Sequence, residues 1–414
     1  LLKGGGISSS SSSFLSLPVT RIFLYFFLSL FFFRPAVIPR CISHSFRRSR
    51  IAVIVRLLYK VTRLRFLCYK FLLYKQDIIM EKNNKELWES ADGILKKFDT
   101  NKDGLIDFDE FKIMCVHLFG QDELERHEYR ARDIFDIFDI DEDGYLNGEE
   151  WERCCKEWTS VVVNPVNVLL VVDVQNDFIA GTLALRDCGK GEDGADVVEP
   201  INRLLAEVSW DKVVYSLDWH PENHIGFYEN LGLREVHPDS KITKEEAKPF
   251  DTVVFLNPHL EQRLWPKHCV IDSWGAQLHK DLVVLPGSDK VRKGKHPDME
   301  AYSVFADNNS HNSRELLNIL EKIGATDIYV CGLAYDVCVR ATCLDGLSFG
   351  YRLAVIEDCC RGVDPLDVQE TRKLIEDNCG FITESSAVPK YVAGESRSLV
   401  MALQLAKSLR IGEL

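Results

Sequence analysis

The feature that most constrains this chain is a pair of acidic twelve-residue segments with oxygen-bearing side chains at matching positions. The first runs from Asp99 to Glu110 and the second from Asp139 to Glu150. Each has a glycine at its sixth position for a sharp turn, and Ca²⁺ in such loops takes six to eight oxygens, two of them from the final Glu. Two calcium loops are therefore predicted. The candidate ligands, with backbone carbonyls from Leu105 and Tyr145, are Asp99, Asn101, Asp103, Leu105, Asp107, Glu110, Asp139, Asp141, Asp143, Tyr145, Asn147 and Glu150.

Apolar residues recur at helical spacing before and after the first loop, which predicts a helix on each side of it. Ile106 and Leu146 are expected to pair the two loops. With these flanks, residues 80–158 resemble a paired EF-hand module. A decayed EF-hand that packs without metal is the alternative, and two complete ligand sets in tandem argue against it.

From Val166 onward, short apolar runs alternate with helical patterns, and the runs show no period-two alternation. Strands of that kind are buried on both faces, as in a parallel sheet covered by helices. The predicted strands are 168–172, 213–217, 328–333 and 353–356, and the predicted helices are 197–208, 313–323, 337–348 and 368–378. The fold class is therefore α/β, a three-layer parallel sheet preceded by an all-α EF-hand pair. Its ligands should bind beyond the carboxyl ends of the strands.

These patterns divide the chain into residues 80–158, a linker at 159–165 and a catalytic domain at 166–414. Pro165 should end any helix that continues from the second hand. The linker is too short to let the hands move freely, so they should pack against or beside the catalytic domain. Because the hands hold few methionines, calcium is expected to stabilise the protein more than it regulates turnover.

Residues 1–79 differ from the rest in charge and composition. They hold thirteen Lys and Arg against one acid, Asp77, and include an apolar stretch over residues 15–33. That stretch could be a signal anchor, which would place the protein on a membrane. The homopolymeric serines and the first methionine at Met80 favour another interpretation, a translated upstream or targeting segment outside the working protein.

The formal net charge of −13 leaves the remainder of the chain strongly acidic. Nucleic-acid binding requires clustered Lys and Arg on one face, so nucleic acid is not an expected partner, and divalent cations are. The thirteen cysteines lie within apolar runs rather than at the spacings of a disulfide framework. Reduced thiols and a cytoplasmic location are expected.

Polar and reactive residues follow the predicted strands. Asp173 ends the first strand, Asp218 ends the second, and a later strand leads to Cys338 in the first turn of the next helix. A helix N-terminus is expected to acidify a thiol placed there. Two further segments lie between these positions: Trp265-Pro-Lys-His268-Cys, and Lys293 followed by Tyr302.

Taken in this order, the motifs resemble the nicotinamidase and pyrazinamidase branch of the isochorismatase-like hydrolases over residues 167–388. The resemblance implies a catalytic triad of Asp173, Lys293 and Cys338. It implies an oxyanion site made by the amides of Ala334 and Cys338, with a cis peptide before Ala334.

The resemblance also implies a divalent transition metal, with zinc expected first and iron or manganese as alternatives. Its implied ligands are Asp218, His220 and His268, with His224 as a further candidate. Aromatic side chains at Phe178, Trp265 and Tyr302 are implied to line a pyridine pocket. The chain departs from many relatives at Tyr335 and in the long segment 229–263, which leaves the shape of the pocket open.

The expected function is hydrolysis of the small molecule nicotinamide to nicotinate and ammonia through a cysteine thioester, in NAD salvage. Asp173 would accept the proton of Cys338 and pass it to the departing nitrogen, because ammonia leaves only when protonated. Lys293 would balance the charge of that pair, while the metal would orient the pyridine nitrogen.

Two alternatives remain: an amidase of the same superfamily for carbamoyl or ureido substrates, and a calcium sensor with an inactive hydrolase domain. Transition metal bound to the purified protein would discriminate against the first, and the intact triad argues against the second. Homo-oligomerisation is left open.

Overall fold

The computed structural model describes residues 87–188 and 192–411. The segment 1–79, interpreted above as an upstream or targeting region, lies outside the described residues. Within the described ranges, no helix has both the length and the apolar character needed to cross a membrane.

The first part of the described chain folds as two helix–loop–helix units. Its helices are α1 (Ala91–Phe98), α2 (Phe108–Phe119), α3 (Gln121–Phe138) and α4 (Gly148–Arg153). The calcium loops are joined by antiparallel pairing of β1 (Ile106–Asp107) with β2 (Tyr145–Leu146), which places Ile106 opposite Leu146 as predicted. Asp107 accepts a hydrogen bond from the Glu110 amide and caps α2.

The chain stays helical beyond α4, through a π-helical turn at Cys154–Thr159 and then α5 (Ser160–Val163). This helical segment ends at Val163, before Pro165, as expected because proline has no amide proton and its ring clashes with the preceding turn. The predicted linker 159–165 is therefore largely helical. The reason is apolar burial, because Val162 packs into the core of the EF-hand pair.

The second part of the chain is built on a six-stranded, fully parallel sheet. Its strands are β3 (Asn167–Val172), β4 (Lys212–Asp218), β7 (Asp289–Lys293), β8 (Asp327–Leu333), β9 (Arg352–Arg361) and β10 (Phe381–Thr383). The spatial order is β10-β9-β8-β3-β4-β7. The four predicted strands are the four central ones. Every residue of β3 and β8 is buried, which explains why their sequences do not alternate.

The helices that follow the strands are α6 (Asn176–Ile179), α7 (Val198–Glu207), α8 (Arg314–Ile323), α9 (Arg340–Ser348), α10 (Pro365–Asp377) and α11 (Val388–Val392). The four helices α7 to α10 match the predicted ones to within a few residues, whereas the short helices α6 and α11 were not predicted. The departing segment 229–263 contains an antiparallel hairpin, β5 (Thr252–Phe255) with β6 (Leu260–Arg263). The hairpin has its own small core around Val253 and Phe255.

The last helix, α12 (Leu399–Ile411), contributes to two cores. Met401 packs in the core of the large sheet, whereas Leu403 packs in the core of the EF-hand pair. The sequence patterns assigned residues 166–414 to one catalytic domain, but this helix also completes the other unit. The hands therefore pack against the sheet domain, as the short connection predicted.

Candidate active site

Four polar side chains meet at the carboxyl edge of the sheet. Asp173 directly follows β3, Asp218 and Lys293 end the neighbouring strands β4 and β7, and Cys338 lies in a π-helical turn after β8. The strand order β8-β3-β4-β7 makes these four positions neighbours, and the register sets Asp218 beside Lys293. The parallel topology thus brings together residues that are far apart in the sequence.

Lys293 is the centre of this cluster and is only 5% exposed. Its Nζ lies 2.9 Å from Asp173 Oδ2 and donates to Cys338 Sγ at 3.3 Å and to the Ala301 carbonyl at 3.1 Å. It also forms a very short ion pair with Asp218. One carboxylate oxygen each from Asp173 and Asp218 and the Cys338 sulfur lie within 4.8 Å of one another. The three residues of the implied triad are therefore in contact through one buried ammonium group.

Asp173 is held by its neighbour strand in a conformation that is rare for aspartate. Its φ of 48° lies in the left-handed region, a strain that is often found at functional sites. Ser216 of β4 stabilises this arrangement, since its hydroxyl donates to Asp173 Oδ1 at 2.6 Å and accepts from the Asp173 amide at 3.2 Å. Ser216 was not among the predicted site residues. Its position two residues before Asp218, on the strand beside β3, is the signal that could have identified it.

Burial dominates the ionisation of Asp173 and Cys338, whereas charged neighbours outweigh burial at Asp218, whose pKa is lowered, and at Lys293, whose pKa is raised. Burial raises the pKa of Asp173 above its ordinary value, with the Lys293 ammonium acting in the opposite direction. Burial also raises the pKa of the Cys338 thiol well above its ordinary value, despite the same ammonium. The sequence predicted an acidified thiol, and that prediction is wrong for the resting site. The thiol sulfur and an Asp173 carboxylate oxygen lie within 4.8 Å of each other, and a protonated thiol near a carboxylate of raised pKa forms a donor and acceptor pair for a proton.

Asp218, His220 and His268 form a second cluster whose ligand atoms lie within 4.8 Å of one another. The two imidazoles are hydrogen-bonded in the same way: Nδ1 of His220 is 3.0 Å from the Gly294 carbonyl, and Nδ1 of His268 is 2.7 Å from the Pro266 carbonyl. Because a carbonyl can only accept, each Nδ1 carries the proton, and each Nε2 is left to face Asp218 Oδ2, at 3.5 and 3.7 Å.

This donor set fits a divalent transition metal. His220 Nε2 is buried and has no hydrogen-bond partner among the described residues. Burial lowers the pKa of His220, but the carboxylates of Asp218 and Glu300 outweigh it and raise that pKa to about 9, so the position attracts positive charge. Gly294 has a φ of 65°, and a Cβ there would lie 2.3 Å from the His220 ring. Only glycine lets this ring take its place.

His224, the further candidate ligand, has both ring nitrogens engaged by the backbone. Nδ1 accepts from the Gly226 amide and Nε2 donates to the Met299 carbonyl, each at 3.1 Å. Burial lowers its pKa to about 4, which matches a neutral ring with these two bonds. Metal ligation by His224 would have to break one of them. Glu300, 2% exposed and 3.9 Å from His224, is an acidic neighbour that the sequence did not reveal.

A small cavity opens beside the Cys338 sulfur, and its walls are mostly apolar. All three predicted aromatic residues line it, as do Cys338, Asp218 and His268, and it is completed by Leu183, Leu185, Glu300, Ala334, Val337 and Val363. Trp265 Nε1 donates to the Tyr302 hydroxyl at 2.9 Å, which fixes two of the aromatic walls relative to each other. Tyr335 does not line the cavity; its hydroxyl bonds to Glu357. The Tyr335 side chain therefore forms no part of this cavity's wall.

The peptide bond between Leu333 and Ala334 is cis, as the resemblance implied. Ala334 precedes the turn that carries Cys338, and its carbonyl accepts from the amides of Val337 and Val339, at 3.1 Å each. Ala334 and Cys338 both line the cavity. The two residues implied for the oxyanion site therefore border the same cavity.

Comparison with known proteins gives one family for this domain. The isochorismatase domain matches residues 167–387, more than half of the chain. The chain belongs to the isochorismatase family. Nicotinamidase of Acinetobacter baylyi is 37% identical over 199 residues, which are 47% of this chain and 81% of that protein. Nicotinamidase of Saccharomyces cerevisiae is 34% identical over 217 residues, 50% of this chain and 94% of that protein.

The solved structure of a yeast nicotinamidase is 31% identical and covers 53% of this chain and 99% of its own, with a TM-score of 0.45. EF-hand families match residues 91–118 and 131–156. Family and relatives together make the isochorismatase-family domain an amidohydrolase, preceded by two EF-hands, as predicted.

Several residues support the site of this isochorismatase-family domain without lining its cavity. The Gln175 side chain makes two hydrogen bonds to the backbone of Asp218: it accepts one from the Asp218 amide and donates one to the Asp218 carbonyl, at 2.8 Å each. Asp177 accepts from the Cys269 amide at 2.7 Å, and Asp336 accepts from the amides of Val363 and Asp364. Asp177 and Asp336 therefore have structural roles. Gln175 was not among the predicted site residues, although it lies two residues after Asp173.

The two EF-hand loops are shaped to hold a cation. Gly104 and Gly144 have φ values of 86° and 88°, which is the turn predicted for the sixth position. In the second loop, oxygens of Asp139, Asp141 and Glu150 lie within 4.8 Å of one another. In the first loop, Glu110 Oε1 reaches back to the Thr100 amide at 2.7 Å, and Glu150 makes the equivalent bond to Ile140 at 2.7 Å. The final glutamate therefore already faces the interior of each loop.

Proposed function

We propose that this protein is a nicotinamidase that hydrolyses nicotinamide to nicotinate and ammonia through a cysteine thioester, in NAD salvage, and that its EF-hands bind calcium. The observation that carries the proposal is the convergence of the Cys338 thiol, the Asp173 carboxylate and a transition-metal donor set on one aromatic-lined cavity. The matched relatives are themselves nicotinamidases, at 34–37% identity.

The first half of the reaction begins with the transfer of the Cys338 proton to Asp173. The Lys293 ammonium, 3.3 Å from the sulfur, stabilises the thiolate as it attacks the amide carbon. The carbonyl becomes an oxyanion that the amides of Ala334 and Cys338 would bind. Asp173 returns the proton to the nitrogen, the carbon–nitrogen bond breaks, and ammonia leaves a thioester on Cys338.

The second half uses the same residues in reverse roles. Asp173, now deprotonated, accepts a proton from water as its oxygen attacks the thioester carbon. The carbon–sulfur bond breaks, and the Asp173 proton passes to the Cys338 sulfur. The nicotinic acid that forms gives up its own proton to the released ammonia or to solvent and leaves as nicotinate. Because Asp173 must both accept and donate, its raised pKa suits both steps better than an ordinary carboxylate would.

Asp218, His220 and His268 would hold a divalent transition metal, with zinc expected first and iron or manganese as alternatives. When bound, the metal supplies Lewis acidity that fixes the pyridine nitrogen of the substrate, directly or through bound water. Phe178, Trp265 and Tyr302 would enclose the ring. The unpaired thiols of the described cysteines support a reducing compartment such as the cytoplasm.

Ammonia release from nicotinamide by the purified full chain tests the proposal. The metal site should be saturated and its metal measured by elemental analysis. A carbamoyl or ureido amide serves as the comparison substrate. A kcat/KM for nicotinamide at least about a hundredfold higher than that for the comparison amide would support the proposed substrate. That ratio corresponds to about 2.7 kcal/mol of transition-state discrimination. Preference for the comparison amide would instead identify another cysteine amidase of the family.

A further inference from the structure

The apolar core of the EF-hand pair is completed by a helix from the far end of the chain. Leu399, Ala402, Leu403 and Ala406 of α12 lie in the same buried cluster as Phe111 and Phe135 of the hands, and each is at most 1% exposed. Their spacing of three and four residues places them on one face of the helix. An EF-hand pair binds a target helix through anchors at this spacing.

Polar groups of the hands hold α12 along its length. The Trp158 indole nitrogen donates to the Ala402 carbonyl at 2.8 Å, in a fully buried contact. Glu123 accepts from the Leu399 amide at 3.3 Å, and Arg153 donates to the Leu409 carbonyl at 3.3 Å. The last two bonds satisfy backbone groups that helix ends leave without an intrahelical partner. The contact is therefore specific as well as apolar.

Two of the three residues that hold α12, Arg153 and Trp158, lie on the helix that leaves the second calcium loop, and Glu123 lies on the helix that enters it. Glu150, the final ligand of that loop, is in α4, and the chain continues without a break through the π-helical turn that contains Trp158. A cation that draws Glu150 into the loop also fixes the start of this helix. The loop and the contact with α12 therefore share one rigid element.

The opposite side of α12 is fastened to the amidase sheet. Gln404, 6% exposed, accepts from the Leu353 amide at 2.7 Å and donates to the Leu353 carbonyl at 3.0 Å and the Cys379 carbonyl at 2.6 Å. Leu353 is in β9, which pairs along β8, the strand that leads to Ala334 and Cys338. One helix thus contacts both the calcium hands and the strand beside the nucleophile strand.

We propose that the EF-hand pair is a helix-binding module whose ligand is this chain's own C-terminal helix, and that calcium binding and docking of α12 strengthen each other. Calcium then stabilises the amidase sheet through Gln404 and β9. The inference rests on the calcium binding proposed above. Linkage requires reciprocity: if calcium tightens the docking of α12, then loosening α12 must weaken calcium binding by the same factor.

Hydrogen exchange of the unmodified full chain, with and without saturating calcium and with the transition metal held constant, tests the coupling. Calcium should slow exchange in the two loops, in peptides from 399–411 and in peptides from 352–361. Peptides from β4, on the other side of the sheet, should change little. Protection confined to the loops and their flanking helices would overturn the proposal.

A matched pair of variants tests reciprocity. Leu403→Asn places an amide on the buried face of α12, whereas Arg410→Asn places the same residue at an exposed position of the helix. Calcium titration by calorimetry should show at least about a fivefold weaker affinity for Leu403→Asn and no change for Arg410→Asn. Equal affinities in the two variants, with Leu403→Asn shown to be folded by its near-ultraviolet circular dichroism, would contradict the coupling.

A third variant, Gln404→Leu, separates the two sides of α12. It should keep calcium protection in 399–411 and lose it in 352–361; protection of β9 that persists would refute the route through Gln404. None of these experiments measures nicotinamide hydrolysis. If the proposed substrate is wrong, their results are therefore unaffected, and a negative result bears on the coupling between calcium and α12, not on the substrate. Calorimetry that detects no calcium binding by the unmodified chain would overturn the calcium part of the proposed function, and the coupling with it.

Discussion

Ser216 offers a sharp test of how the sheet prepares the catalytic carboxylate, because it touches Asp173 and does not line the cavity. Its hydroxyl donates to Asp173 Oδ1 at 2.6 Å, and both residues are fully buried. A hydrogen bond to a charged group contributes about 1.5–3 kcal/mol. If the bond stabilises the Asp173 carboxylate while it accepts and donates the proton, loss of the bond in Ser216→Ala should lower kcat/KM for nicotinamide. The expected decrease is roughly tenfold to a hundredfold, since about 1.4 kcal/mol corresponds to a factor of ten.

The pH dependence of this variant separates a positioning role from simple loss of packing. The Ser216 hydroxyl favours the charged form of Asp173 and so acts to lower its pKa, against the larger effect of burial. Removing the hydroxyl therefore raises the pKa of Asp173 further. Because Asp173 must be deprotonated to accept the thiol proton, the acid limb of the pH profile of kcat/KM should move to higher pH in Ser216→Ala.

The assay is ammonia release across the acid limb at saturating transition metal. Thr371→Val is the matched control, because the Thr371 hydroxyl is buried in α10 and has no hydrogen-bond partner among the described residues. Its rate and pH profile should equal those of the unmodified chain. An unchanged acid limb in Ser216→Ala, or a shift to lower pH, would refute the assignment of Ser216 as a positioning residue.

Three other predictions concern the nucleophile, the metal and the calcium loops. Cys338→Ala should abolish ammonia release with the fold intact, because the thiol forms the covalent intermediate; Cys343→Ala, also buried, should stay within about threefold, and activity of Cys338→Ala in that range would exclude the mechanism. His268→Ala should lose the transition metal by elemental analysis even in excess calcium, because imidazole favours softer ions; full retention would disprove the ligand set. Removing calcium should lower the melting temperature but change turnover by less than about threefold, and a tenfold dependence that disappears in Glu110→Gln and Glu150→Gln would establish a regulatory switch instead.

The centre of the sheet could be predicted from the sequence because its strands are buried on both faces. Residues 168–172 of β3, for example, form a continuous apolar run. A short run of this kind is typical of a strand that is buried on both faces of a parallel sheet. Once β3, β4 and β8 are placed in parallel, the residues at their carboxyl ends must lie at one edge. That is why Asp173, Asp218 and Cys338 could be grouped without knowledge of the fold.

The edges of the sheet could not be predicted in the same way. β7 has the sequence Asp289–Lys293 with only Val291 and Lys293 buried, so it carries no apolar run to mark it as a strand. It nevertheless delivers Lys293 to the site. The lysine was identified only through the family resemblance, and its contacts with Asp218 and the Ala301 carbonyl depend on distant segments that local pattern does not report.

The ionisation of Cys338 shows a further limit of local pattern. A thiol at a helix N-terminus was expected to be acidic, because helix dipoles and free amides favour a thiolate. Complete burial has the larger effect here and raises its pKa. Burial is set by the packing of Phe178, Trp265 and Val363 around the cavity, which comes from three separate parts of the chain. The sequence pattern could therefore give the position of the thiol but not its protonation state.

The sequence of α12 indicates that the helix is buried from more than one side, but the assignment of residues 166–414 to a single domain left its contact with the EF-hand pair unpredicted. From Leu399 to Ile411 the helix is apolar on more than one face, and a helix of that kind must be buried from more than one side. The sheet provides one side, through Met401 and Gln404, and the EF-hand pair provides the other, through Leu403. Neither unit alone would cover the helix, so the hands and the amidase each supply part of the other's core. No EF-hand residue that the structure describes lines the active-site cavity, so the link between the calcium module and the amidase is the helix whose burial both units provide.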